Sequence, residues 1–220
     1  MGAAPFHPLP TKAGNVAAGR RPPPAPIMRR MSDDAPARPS AWRAVPSPAL
    51  PVAAPSDGER AARLAAELAA AFKARARLYR DLLTTLEEEF GAAAAERLLA
   101  RAIRRRGDAA GAALFADMAG AAPAAVVARF LTVASPDWGR LFPHAVEEDA
   151  DGRVRVTVRR CPLKEAWRED GLPPEEVARL CRIAGEADHG VFGRAGCGFS
   201  AATWRPDGPD TCCVLTFAPE

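Results

Sequence analysis

The sequence predicts an α+β fold: an N-terminal helical half packed with a small, mostly antiparallel sheet in the C-terminal half, in the order strand-helix-helix-strand-strand. Three observations predict it. Between residues 59 and 131, apolar residues recur at helical spacing among alanines. From Gly152 the pattern switches to alternation, with Val154, Val156 and Val158 set between Arg153, Arg155, Thr157 and Arg159. Two more strand-like runs, Cys197 to Trp204 and Thr211 to Phe217, close the chain on either side of the turn-forming PDGPD. Strands grouped this way favour an antiparallel or mixed sheet of three or more strands with helices on one face.

The elements follow in order. Up to Ser56 no apolar period survives, and thirteen of the twenty-two prolines lie there, in stretches such as RRPPPAPIMRR. This predicts a disordered or polyproline-like tail over residues 1–56 and a single domain over 57–220. Met28 and Met31 inside the tail are alternative starts, and an Arg-rich, Glu-free beginning also resembles a mitochondrial presequence, which the proline density opposes. Ser56 and Glu59 have capping-box spacing, and Leu64, Leu68, Phe72, Tyr79, Leu82, Leu83, Leu86 and Phe90 continue as a long helical core face ending at Gly91. A second helix is expected from Ala92 to Arg106, stopped by Gly107. Asp108 would cap a third through Met118, and Pro123 opens a fourth reaching Leu131. Beyond the first strand, Pro162 starts a short helix to Glu169, and LPPEEVARLCRIAGEAD, Leu172 to Asp188, is another helix with its prolines and glutamates in the first turn.

Composition excludes several classes of function. The net charge is +3, but residues up to Ser56 carry seven Lys/Arg against two Asp, or +5, which leaves −2 for the remainder. The globular part therefore has no electrostatic attraction for nucleic acid or an anionic membrane. No apolar run is long enough to span a bilayer. Five cysteines without C-x-x-C spacing predict free thiols in a reducing cytoplasm. Those cysteines, together with His144 and His189, match no metal-ligand spacing, and there is no Walker loop, G-x-S-x-G or dinucleotide fingerprint. Neither a metal nor a cofactor is predicted, and the expected partner is a small-molecule substrate.

Cys161 is the first candidate for chemistry. With Pro162 at the first helical position, Cys161 becomes the N-cap, where unpaired amides and the helix dipole favour an anion; Arg159 or Arg160 would add to that effect. The competing reading is a small apolar filler at a strand end. Cys213 shares a face with Leu215 and Phe217, while Cys212 is expected on the opposite face. Cys181 lies on an apolar helix face and Cys197 follows a turn glycine. Asp188, a carboxylate expected at a helix C-terminus, needs a pairing, capping or catalytic partner there. His189 and His144 are each either a general base or an ordinary structural histidine.

VRRCPLKEAW, EEVARLCRIAGEADHGVF, GFSAATW and DTCCVLTF, in that order, resemble the L-2-amino-thiazoline-4-carboxylic acid hydrolase family, as do the preceding helices, so that the resemblance spans about Glu59 to Phe217. It implies family positions at Cys161, Cys181, Asp188 and Cys213. Gly185 stands where an acid is expected in closer relatives, and Pro209 where a glycine is expected before the last strand. The implied activity is ring opening of a cyclic amidine: attack at the carbon between ring sulfur and nitrogen, loss of sulfur, and release of an N-carbamoyl cysteine. On that basis Cys161 is the nucleophile or an oxyanion-side thiol, Asp188 or His189 the base, and Arg159 or Arg160 the clamp for the substrate carboxylate. The alternative is a non-catalytic small-molecule, redox or metal sensor of the same fold.

Overall fold

A computed structural model describes residues 56–209 and 211–220, so the proline-rich tail, apart from Ser56, lies outside the described residues. The first helix, α1 (Asp57–Phe90), starts in a closed capping box: the Glu59 amide donates to Ser56 Oγ at 3.3 Å, and the Ser56 amide donates to Glu59 Oε2 at 2.8 Å. It stops where Gly91 takes φ +76°. Only part of its apolar face reaches the core. Ala76 and Leu83 are buried, whereas Leu64, Leu82 and Phe90 are exposed.

The second helix corrects the expected break at Gly107. α2 runs unbroken from Ala92 to Leu114, through both Gly107 and Asp108. Gly107 and Gly111 are interior residues whose missing side chains let α2 lie directly on α5 (Pro174–Phe192), and a Cβ on either would meet the α5 backbone near Ala187 and Val191. Gly190 does the same in reverse against Arg104 and Asp108. A glycine serving close approach and one serving as a stop have the same local signature, and the partner helix distinguishes them. α5 also extends four residues beyond the expected end at Asp188. α3 (Pro123–Arg129) passes into a π-helical turn, Phe130–Ala134, and a 3₁₀ turn, Pro136–Gly139, in which Asp137 and Trp138 have φ near +50°.

The sheet has four antiparallel strands in the order β1-β2-β4-β3: β1 (His144–Glu148), β2 (Val154–Val158), β3 (Gly198–Ala202) and β4 (Cys213–Ala218). The α+β class therefore holds, with one strand more than the sequence pattern indicates. β1 escaped it because HAVEE alternates weakly and is largely exposed. β1 and β2 form a hairpin whose turn is closed by Asp149 Oδ1, which accepts from the amides of Asp151 and Arg153. Val154 and Val156 face inward with Leu215 and Phe217, and Phe192 at the end of α5 packs on Phe217, Phe199 and Phe130.

The helix α4 (Pro162–Glu169) docks on α1 through Trp167, which is fully buried and donates from Nε1 to the Ala76 carbonyl at 2.8 Å. Lys73–Glu169 and Arg77–Asp170 ion pairs fasten its far end to α1. Solvent screens such pairs and they contribute little, so the buried indole, not the charges, sets the position of α4.

Candidate active site

The start of α4 is held by backbone pairing. β2 ends at Val158, which is in register with Cys213, and the Val158 carbonyl accepts from the Cys212 amide at 2.8 Å. One residue on, the Arg159 amide donates to the Pro143 carbonyl at 2.7 Å. Cys161 therefore follows a pinned strand end and stands next to Cys212 and Cys213. It is the N-cap of α4, with Pro162 at the first helical position.

Below it lies a cavity of about 310 Å³ between α1, α4, α5 and the turns after α3, adjoined by a second lobe of about 140 Å³. Cys161, Asp188, Cys213, Phe130, Pro136 and Phe142 border both lobes. Cys181 and Cys212 border the larger, so that four thiols surround it. The size suits a small ligand and the walls are mainly apolar, as in most such sites.

The charges are arranged asymmetrically. Hydrogen bonding from the Cys212 thiol is the largest influence on Cys161 and lowers its pKa; burial opposes this, the amides of Lys164 and Leu163 assist it, and the Asp188 charge opposes it. No strict side-chain cap bond closes at Cys161, so the amides act by pointing at the sulfur. Cys212 is shifted upward by its hydrogen bonds to Cys161 and Cys213 and by burial, which keeps it a protonated donor. Burial also raises Cys181, helped by the neighbouring Cys213 and Cys161. Asp188 retains some surface toward the cavity but is enclosed by protein atoms, and this desolvation pushes its pKa from 3.8 up to about 7.

The structure brings Cys161, Cys181, Asp188 and Cys213 to one cavity and leaves the other expected residues outside it. His189 packs edge-on to Phe199, with ring centroids 5.4 Å apart. Arg159 and Arg160 are exposed, and Arg160 is held by Glu165 through bonds of 2.6 and 3.2 Å. The polar residues Arg75 and Tyr79 on α1 and Cys212 before β4 border the cavity without having been among the expected site residues, and His144 on β1, one of the two histidines weighed as a base, borders the smaller lobe. Cys212 precedes β4, so the strand alternation that placed it on the far face does not apply. For Arg75 no local signal exists, because it resembles any other arginine on a solvated helix. Gly185 also borders the cavity, and a Cβ there would stand 2.9 Å from Thr203 Cγ2. Among the described residues, no three His, Cys, Asp or Glu side chains are grouped closely enough to hold a metal ion, and no helix is long and apolar enough to cross a membrane.

Fold and site together define an α+β protein with a thiol-lined cavity at the junction of a helix N-cap and a sheet end. Residues 71–216 match the family model described as L-2-amino-thiazoline-4-carboxylic acid hydrolase, and the chain belongs to that family, which is named for a hydrolase. Comparisons with curated proteins and with solved structures return no match.

Proposed function

We propose that this protein is a cysteine-dependent hydrolase that opens the ring of 2-amino-thiazoline-4-carboxylate or a close cyclic amidine, acting in a reducing cytoplasm where its thiols stay free. The observation that carries this reading is the meeting, in one cavity, of the Cys161 thiol at the N-cap of α4 and the enclosed Asp188 carboxyl, whose surroundings lower the first pKa and raise the second. Two groups displaced in opposite directions at a shared site are the usual arrangement for a nucleophile beside an acid–base group.

The chemistry divides into two steps. Cys161 Sγ attacks the ring carbon between sulfur and nitrogen, the ring carbon–sulfur bond breaks, and the departing sulfur takes the proton from Asp188. The product of this step is an isothiourea joined to Cys161. Asp188, now ionised, takes a proton from water as the water adds to the same carbon. Expulsion of the Cys161 thiolate then releases the N-carbamoyl cysteine, for a net uptake of one water. A pKa of about 7 lets Asp188 serve as acid in the first step and base in the second. Cys212, as a fixed thiol donor, stabilises the Cys161 thiolate between turnovers.

The test is incubation of the purified full chain with 2-amino-thiazoline-4-carboxylate, following loss of ring absorbance and appearance of a free thiol. Absence of turnover across neutral pH would remove the reading. The four thiols around the cavity give the sensor alternative its support. A sensor would change state with oxidant or metal and leave the ring intact.

Asp188 carries a pH prediction. Its folded pKa lies above the unfolded one, so between about 3.8 and about 7 the native state holds a proton that the unfolded chain has released. Stability attributable to Asp188 therefore falls as pH rises through that window and is level above it. Asp188→Asn is expected to remove this slope, read as a wild-type-minus-variant difference in melting temperature from about pH 4 to pH 8. A difference independent of pH would contradict the raised value.

A further inference from the structure

We infer that Arg75 is the residue that recognises the substrate carboxylate, at the mouth of the cavity. The inference rests on the ring-opening reading and adds the specificity element it lacks. Among the described residues, Arg75 is the only Lys or Arg bordering either lobe. Phe72, Arg75 and Tyr79 stand at i, i+3 and i+7 on α1, one face of the helix, and all three border the cavity. Lys73 and Arg77, on the adjoining face, are paired with Glu169 and Asp170, whereas Arg75 has no acidic partner among the described residues. Lys164, the buried lysine, has its Nζ 5.5 Å from the centre of the Trp204 ring and does not border the cavity.

The guanidinium is also held in place. Its central carbon lies 4.0 Å from the centre of the Phe72 ring, and Phe72 in turn meets Phe142 edge-on at 5.4 Å. This column joins α1 to the segment before β1, and all three of its residues border the cavity. Stacking engages the face of a guanidinium and leaves its in-plane N–H groups available, which is the geometry for a two-point grip on a carboxylate. Arg75 is exposed and Asp188 enclosed, so the cation stands at the entrance and the acid–base group deep inside. A carboxylate gripped at the mouth directs the amidine end of the ring inward, toward Cys161 and Asp188.

The experiment compares 2-amino-thiazoline-4-carboxylate with 2-amino-thiazoline, which has the same ring and no carboxylate, on the full chain and its Arg75→Met and Arg75→Lys variants. Binding is measured by calorimetry and ring opening by absorbance. Wild type is expected to bind the acid about 10- to 100-fold more tightly than the ring without its carboxylate. Arg75→Met should lose that preference through KM with kcat little changed, Arg75→Lys should retain part of it, and melting temperatures should match because the side chain is exposed. Equal preference in wild type and Arg75→Met, or no binding of the acid by wild type, overturns the inference. Carboxylate-selective binding that depends on Arg75, without ring opening by any form, overturns the hydrolase reading and leaves the inference standing.

Discussion

Cys161→Ala is expected to lower ring opening by at least about 10³-fold while the protein stays folded. The size of the loss follows from the role: no other thiol at the cavity has both the helix N-cap position and a thiol donor beside it. Cys181 is raised by burial, and Cys212 is held protonated by the hydrogen bonds it makes. Neither replaces the proposed nucleophile, whose pKa is lowered by its surroundings. The fold survives because no cap hydrogen bond is lost with the sulfur and Pro162 still starts the helix. The measurements are initial rate, melting temperature and the rate of alkylation by iodoacetamide at neutral pH, which should fall sharply in the variant. Full activity in Cys161→Ala would exclude a covalent step at this residue and leave Asp188 with water as the remaining route.

Gly190→Ala is expected to destabilise the fold by at least about 2 kcal/mol, although alanine is the better helix former. Helix propensity favours the change by about 1 kcal/mol. Against it, the new methyl would overlap the α2 backbone at Arg104 and Asp108, and backbone at a helix–helix contact cannot rotate aside as a side chain can. Sterics therefore win. Gly58→Ala is the control: it lies in the first turn of α1 with no atom within 4 Å of its added Cβ, and should leave stability equal or slightly improved. Denaturant midpoints for the two variants read the difference directly. Because α5 carries Cys181 and Asp188, displacing it should also weaken ligand binding at the cavity, whereas Gly58→Ala should not.

Much of the fold is legible in the sequence because secondary structure is a short-range property. The Ser56 capping box, the Gly91 stop, the Cys161-Pro162 helix start and the Val154–Val158 alternation depend on residues within a turn or a strand of one another, and each is where the pattern places it. The errors have one form. Gly107 reads as a terminator and β1 goes unread because the deciding contacts, to α5 and to β2, come from chain that is distant in sequence.

The same distinction separates the parts of the candidate site. Cys161 is singled out by its own neighbours, since a cysteine followed by a proline at a strand end is a local statement about a helix N-cap. Its partners are not. Cys212 reaches it through the pairing of β4 with β2, Asp188 is enclosed where α5 meets the start of α4, the β4 end and the turns after α3, and Arg75 borders the cavity that forms where Trp167 docks α4 on α1. Charge type, backbone propensity and helix ends were written in the chain order. The desolvation of Asp188, the hydrogen bonding that favours the Cys161 thiolate and the cation bordering the cavity arise from packing, because electrostatic environment depends on every neighbour in space and not on those along the chain.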